Sequence, residues 1–500
     1  MSLPSYAIEP VHELLARVDP ERELGPCGLR RLVMGSGALT TVATTVAELL
    51  SAPDSIPVGG ARPCVVLLVD RTPIQRRGQD VKDVVHEQLA QHFDVVRTVL
   101  DDGHADLHVV DEVLDAATAA VAGVAAVVAV GGGTISDIGK IAVHRAGLAG
   151  HRPLLVCVQT AASVDGYTDN VSVVLRGGVK RTVLATWPDA VVADIETIAD
   201  APPAMAMAGF GEMTSMLVAP GDWRLASLVG TDPTFSAGAV RILEMVGEDL
   251  GSWSPGVRSA QPDAIARLTR ALALRGIATG VAGTTAVLSG VEHLVSHMLD
   301  QHHTGHRQRT GLHGAQVGVA TVVAAAAWET LFDRLAARSD SATLDTSAFD
   351  HDLARIRVVN AFWDLDPSGL IARECWRDYS AKLDALTRLR SRVEGLLARW
   401  RDHEPELRAL VRPSATIAAD LRAAGAAITF GELDPAVPPE LARWAVAHCA
   451  LMRNRFTVVD LLTLLGWWGP SDVDEVLDRA TRAATGASAS AGVGADGRAW

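Results

Sequence analysis

Over the first two hundred positions, short unbroken apolar runs alternate with stretches whose apolar residues recur every three or four positions. The runs "LRRLVMGSG", "PCVVLLVD", "DVVRTVLDD", "VAAVVAV", "PLLVCVQT" and "AVVADIE" read as strands. Between them, "ALTTVATTVAELL", "VKDVVHEQLAQHF" and "VVDEVLDAATAAVAG" read as helices, and another helix is predicted over 136–147. Apolar runs without polar alternation suit strands covered on both faces, as in a parallel sheet flanked by helices. "VSVVLRGGVKRTVLAT" has the form of a hairpin.

From about residue 198 the strand signals vanish, and the pattern is helical almost to the end, with loops at "APGD", "WSPG", "DPSG" and "LDPAVPP". The predicted organisation is an extension over 1–27 with the helical pattern "EPVHELLARV", an α/β domain over 28–197 and an all-α domain over 198–483. Residues 339–425, rich in Arg, Asp, Glu and Leu at helical spacing, read as a helical insert without site chemistry. Residues 484–500, "ATGASASAGVGADGRAW", have little to bury and read as a disordered tail.

Composition narrows the partners. A formal charge of -14 and the absence of a basic run argue against nucleic acid and anionic membranes, leaving a small molecule. The longest uncharged apolar runs, near 117–131 and 314–327, read as too short to span a bilayer, and no signal peptide is evident, so a cytoplasmic location is expected. The five cysteines show no C-x-x-C spacing, and their odd number speaks against a disulfide framework. Lysine occurs only at 82, 140, 180 and 382, which draws attention to each.

Two stretches carry chemistry. In "VVAVGGGTISDIGKIAV", residues 127–143, a strand drops into three glycines and emerges as a helix. Glycines let a backbone approach a phosphate and the helix adds its positive end, but the spacing is neither G-x-G-x-x-G nor a P-loop. Phosphate cradle and packing turn both remain open at this point. The second stretch, "VEHLVSHMLDQHHTGHRQRTGLHG" over 291–314, holds six of the chain's 16 histidines. His293 and His297 are four apart and share a helix face, and His313 opens a small-residue apolar helix; with a carboxylate such groups can hold a divalent metal. His302, His303 and His306 read as a solvated loop.

Taken in order, "GGGTISDIGK", "QTAASVDGYTDNVS", "GGVKRT", "VVADIETIADAPPAMAMAGFGEM", "GVEHLVSH" and "LHGAQVGVAT" resemble sn-glycerol-1-phosphate dehydrogenase, of the dehydroquinate synthase-like and metal-dependent alcohol dehydrogenase superfamily. The resemblance covers about residues 30–330 and resumes in "AHCALMRNRFTVVDLL". It implies an N-terminal dinucleotide-binding domain, a helical metal and substrate domain, and an active site in the cleft between them.

By the same resemblance Gly131, Gly132, Gly133 and Thr134 wrap the pyrophosphate of NAD or NADP, and Asp137 and Lys140 take further cofactor and cleft positions. Thr160, Ser163 and Asp165 line the nicotinamide and substrate pocket, while Asp70 is the candidate for the adenosine ribose. The implied metal ligands are Glu212, His293 and His313, holding one divalent ion, zinc first, with iron or nickel as alternatives. His297 is placed as a proton relay beside them, Lys140 and Asp165 are the other catalytic candidates, and Lys180 with Arg181 is a candidate for a substrate phosphate or carboxylate. A homo-oligomer, dimer or larger, is expected.

Two departures bear on substrate and reaction class. The glycerol-type enzymes carry aspartate where this chain has Glu212, whereas dehydroquinate synthase has glutamate, and the added methylene shifts a metal by up to ~1 Å unless the backbone compensates. "TSMLVAPGDW" also lacks the lysine that phosphate-specific members carry soon after that ligand. The reading is a metal- and NAD(P)-dependent dehydrogenase of a small hydroxylated substrate, phosphorylated or not. The alternatives are an NAD-using sugar-phosphate cyclase and a non-catalytic scaffold that kept the fold.

Overall fold

The computed structural model describes residues 10–52, 62–104, 107–176, 179–247, 249–338 and 342–486. Six strands form one sheet in the spatial order Arg31–Gly35, Ala190–Asp194, Leu154–Gln159, Ala126–Gly131, Cys64–Val69 and Asp94–Val99. Every neighbouring pair is parallel. The unbroken apolar runs have their explanation in the strand Ala126–Gly131, buried along its whole length. Val127 and Ala129 join one core with Ile138 and Ala142 of the helix Gly133–Leu148. Ala126, Val128 and Val130 join a second core with Val42, Val46 and Val85 from helices on the other face. Alternate side chains thus enter different apolar layers, and neither face can be polar.

Strand order also locates the cleft. From Cys64–Val69 the chain moves outward to the edge strand Asp94–Val99, then returns to Ala126–Gly131 and winds the other way. The reversal falls between Cys64–Val69 and Ala126–Gly131, and ligands of open parallel sheets bind at such a switch point, beyond the carboxyl ends of the strands. Asp70 and the three glycines follow those two strands. The helix after the glycines begins at Gly133, three residues earlier than predicted, so the last glycine belongs to its first turn. The hairpin Val171–Arg176 and Val179–Leu184 stands apart from the sheet.

Past residue 195, α-helices and short 3-10 turns account for the regular structure among the described residues. Its centre is the packing of Pro203–Thr214 on His313–Arg338, where glycines replace side chains at the contact. A Cβ on Gly211 would lie 2.3 Å from the Gly314 carbonyl oxygen, and one on Gly314 would lie 2.1 Å from the Ala208 oxygen. The two helices approach backbone to backbone, which only glycine permits. Gly209 does the same toward the α/β domain, where a Cβ would stand 1.8 Å from the Ala162 oxygen.

The run 314–327, expected to be too short for a membrane, proves to be part of a longer element. His313–Ala337 is long and apolar enough to cross a bilayer by length and composition, but 89% of its apolar window is packed inside the molecule. Helix Val11–Val18 of the N-terminal extension buries Leu14 completely. Within 339–425, Ser414–Ala424 packs on both His313–Arg338 and Pro203–Thr214. Helix Pro470–Thr485 runs into the start of the expected tail, whose remainder from 487 lies outside the described residues.

Candidate active site

Glu212 lies near the end of Pro203–Thr214, His293 near the start of Val291–Gly305, and His313 opens the helix His313–Arg338. One ligand atom from each lies within 4.8 Å of the other two. His293 Nε2 stands 3.2 Å from Glu212 Oε1, and His313 Nε2 stands 3.8 Å from Glu212 Oε2. A tetrahedral ion with bonds near 2 Å separates its ligands by about 3.4 Å, so this donor set fits a divalent metal with small side-chain movements. Glu212 Oε2 is buried without a hydrogen-bond partner among the described residues, an orphaned acceptor for which a cation accounts.

Both imidazoles are held from behind. Glu292, fully buried, accepts from His293 Nδ1 at 3.0 Å and from the Gly290 amide at 2.6 Å. Ser296 donates to Gln316 Oε1 at 2.8 Å, so its oxygen accepts from His313 Nδ1 at 2.9 Å, selecting the tautomer whose Nε2 lone pair faces Glu212. Carboxylate and hydroxyl partners of this kind fix ring orientation at metal centres. Burial opposes charge on Glu212, but His313, His293 and Arg275 outweigh it and hold the carboxyl at about 2. Burial likewise opposes charge on His293, yet Glu212 and Glu292 raise it to about 9.

A sign follows for metal loading. Below that value of about 9 the metal-free site carries a proton on His293 that an entering ion must displace. Isothermal titration in buffers of different ionisation enthalpy is expected to show about one proton released per ion at pH 7, with apparent affinity falling roughly tenfold per pH unit as pH drops.

The cofactor candidates sit on the facing edge. Gly131 to Thr134, Thr160 with Ser163, and Asp70 follow three adjacent strands at their carboxyl ends. Gly132 has φ −76° and ψ −173°, and a Cβ there would meet nothing within 4 Å. The space above the turn is open at the amino end of a sixteen-residue helix, as a pyrophosphate cradle requires. Asp70 accepts from the buried Lys82 ammonium at 2.6 Å. The Thr160–Asp169 loop is tied down on two sides: Tyr167 donates to the Gly131 oxygen at 3.0 Å, and Thr168 donates to the Ala273 oxygen at 2.7 Å.

Three of the candidate side chains are engaged by partners within the protein. Lys140 is fully buried and donates to the Gly166 oxygen at 2.6 Å, to Asp169 Oδ1 at 2.7 Å and to the Val171 oxygen. Its three protons are committed and, although burial opposes the charge, Asp169 and Asp137 outweigh it and keep the ammonium protonated, so it is placed to anchor the loop. Asp137 stands 3.3 Å from the same ammonium, which occupies this carboxylate inside the loop anchor instead of presenting it to a cofactor. Arg181 pairs with Asp378 at 2.7 Å and Glu374 at 3.0 Å on the helix Leu370–Arg388, so its charge ties the hairpin to the insert instead of meeting a substrate. The side chain of Lys180 lies outside the described residues.

Arg275, which the sequence reading passed over, is the largest cation in the site. It is fully buried, donates through Nε and Nη2 to Asp165 Oδ2 at 3.1 and 2.9 Å, and reaches Glu212 Oε1 at 3.5 Å. Nη1 donates to the Met213 oxygen at 2.9 Å and Ser215 Oγ at 3.1 Å. Arg275 thereby joins the loop carboxylate to the metal carboxylate. His297, one turn after His293, stacks on His313 with ring centroids 5.6 Å apart.

Comparison with known proteins gives the family. A model of the iron-containing alcohol dehydrogenase family matches residues 58–202. Glycerol-1-phosphate dehydrogenase [NAD(P)+] of Haloquadratum walsbyi is 33% identical over 259 residues, 52% of this chain and 71% of that one. The same-named protein of Halorubrum lacusprofundi is 32% identical, covering 59% and 75%. Among solved structures, glycerol dehydrogenase from Schizosaccharomyces pombe superimposes with a TM-score of 0.55 over 92% of each chain at 17% identity, a likeness of fold. The chain belongs to the glycerol-1-phosphate dehydrogenase family of the iron-containing alcohol dehydrogenases.

Proposed function

We propose that this protein interconverts a small hydroxylated substrate and its ketone with NAD(P), and that the relatives' glycerol 1-phosphate is the first substrate class to examine. The observation that carries the reading is the convergence of Glu212, His293 and His313 opposite the loops that end three adjacent strands. A divalent ion in that set supplies Lewis acidity at the substrate oxygen, and a nicotinamide supplies the hydride acceptor or donor. Glu212, His293 and His313 hold the metal, with Glu292 and Ser296 fixing the imidazoles. One carboxylate with two imidazoles suits Zn²⁺ first, and the same donors accept Fe²⁺ or Ni²⁺.

In this reading Asp165, gripped by Arg275, orients a substrate hydroxyl, and His297 passes the hydroxyl proton toward solvent. Gly131, Gly132, Gly133 and Thr134 receive the pyrophosphate, Thr160 and Ser163 border the nicotinamide, and Asp70 meets the adenosine ribose. With dihydroxyacetone phosphate and simple ketones offered in turn, turnover is expected to consume NAD(P)H in equal amount, followed at its absorbance. Turnover without net consumption would instead favour the cyclase chemistry that Glu212 shares with dehydroquinate synthase.

Gly132 offers a clean test of the cradle. Because a Cβ there meets no protein atom within 4 Å, Gly132→Val is expected to fold normally while its methyls occupy the space of the phosphates. A loss of NADH affinity of about 100-fold or more is expected in a nicotinamide fluorescence titration, from steric exclusion and loss of the amide contacts. Unchanged affinity would remove the cofactor assignment.

A further inference from the structure

A second set of ligand atoms converges beside the first. His297, Asp300 and His313 each offer one atom within 4.8 Å of the other two. His297 and Asp300 lie one turn apart on Val291–Gly305 and face the start of His313–Arg338, so two rigid helices hold the set. His313 belongs to both groups, and His297 stacks nearly parallel on it at an interplanar angle of 16°. Asp300 is as buried as Glu212, but His297 is partly exposed where its counterpart His293 is buried, so the second set opens toward solvent through His297.

We propose that His297, Asp300 and His313 form an outer cation site for a borderline divalent metal such as Zn²⁺, Co²⁺ or Ni²⁺. Two imidazoles and one carboxylate repeat the donor chemistry of the inner set. Both sets need the single His313 side chain, so strong occupancy is one ion per chain. The outer position is then a station through which an ion reaches the buried site. An ion resting there also ties up His297 and His313, the ring that relays protons and the ring that completes the inner set, so excess metal inhibits the enzyme.

The sharing of His313 makes the proposal testable with Co²⁺ as the probe, read by its visible absorption and by equilibrium dialysis on the full chain. Glu212→Ala and His293→Ala each disable the inner set and spare the outer one. Each variant, shown folded by circular dichroism, is expected to retain one Co²⁺ per chain with affinity roughly 100-fold or more below the parent, beyond the usual effect of changing a ligand's supporting residue. Adding Asp300→Ala to either variant is expected to abolish that binding. Absence of Co²⁺ from both folded single variants, or binding that survives Asp300→Ala, would overturn the outer site. This inference builds on the inner-site reading, and the two fail differently: if Glu212→Ala and His293→Ala leave the parent's affinity intact while Asp300→Ala reduces it, the inner assignment falls and the outer one stands.

Discussion

Replacing His313 with alanine is expected to give a folded protein with far less than one divalent ion per chain and no measurable turnover. The side chain is 26% exposed and sits at a helix start, so its removal opens no sealed cavity. Ser296 keeps its bond to Gln316, and the helical signal in circular dichroism should match the parent. What is lost is one of three protein ligands. Changes to residues that merely support a ligand cost about 10–100-fold in affinity or activity, and deletion of the ligand itself is expected to cost more. Elemental analysis after gentle purification, beside an NAD(P)H assay with added Zn²⁺ or Fe²⁺, reads both effects.

The second large effect belongs to Arg275. Arg275→Met removes a fully buried guanidinium and leaves Asp165 with its Oδ2 partner gone. Breaking one side of a buried pair costs about 3–5 kcal/mol, because the remaining charge is left without compensation. Burial already holds the Asp165 carboxyl above the usual range, with the guanidinium pulling it down and Glu212 pushing it up. Without the guanidinium it rises further. A carboxyl whose folded value lies above its unfolded value contributes most stability when protonated and loses it as pH climbs from about 4 toward the folded value. The variant's deficit in urea unfolding is therefore expected to be larger at pH 8 than at pH 5. Arg275→Lys should recover part of it, since an ammonium supplies the charge but not the planar fork that meets Asp165 and Met213 together.

How much of this was legible in the sequence depends on whether the information was local. The parallel sheet announced itself because strands such as Ala126–Gly131 are buried on both faces and must be apolar throughout. The glycine turn and the pair His293 and His297 were visible because their chemistry lies within one loop or one helix face. Lys140 was noticed for its rarity, but rarity does not reveal burial; its partners Gly166, Asp169 and Val171 lie beyond the helix that carries it. Arg275, one of three arginines in the helix Pro262–Ala282, gave no local sign of a partner 110 positions earlier. The glycines at 209, 211 and 314 were plain to see, yet their meaning is a pairing of helices that meet only in the folded chain. Arg181 read as a substrate cation, and its carboxylates come from an insert that showed no site chemistry.

A divalent ion held by Glu212, His293 and His313 should face the nicotinamide of a cofactor whose pyrophosphate lies over Gly131–Thr134. Anomalous diffraction at the metal's absorption edge, from crystals of the protein grown with NADH and without chelator, tests it most directly. The account predicts an anomalous peak bonded to His293 Nε2, His313 Nε2 and the Glu212 carboxylate, with the pyrophosphate of the cofactor against the backbone amides of Gly132 and Gly133. A crystal that binds NADH elsewhere, or that carries its metal away from Glu212 and His293, would contradict it.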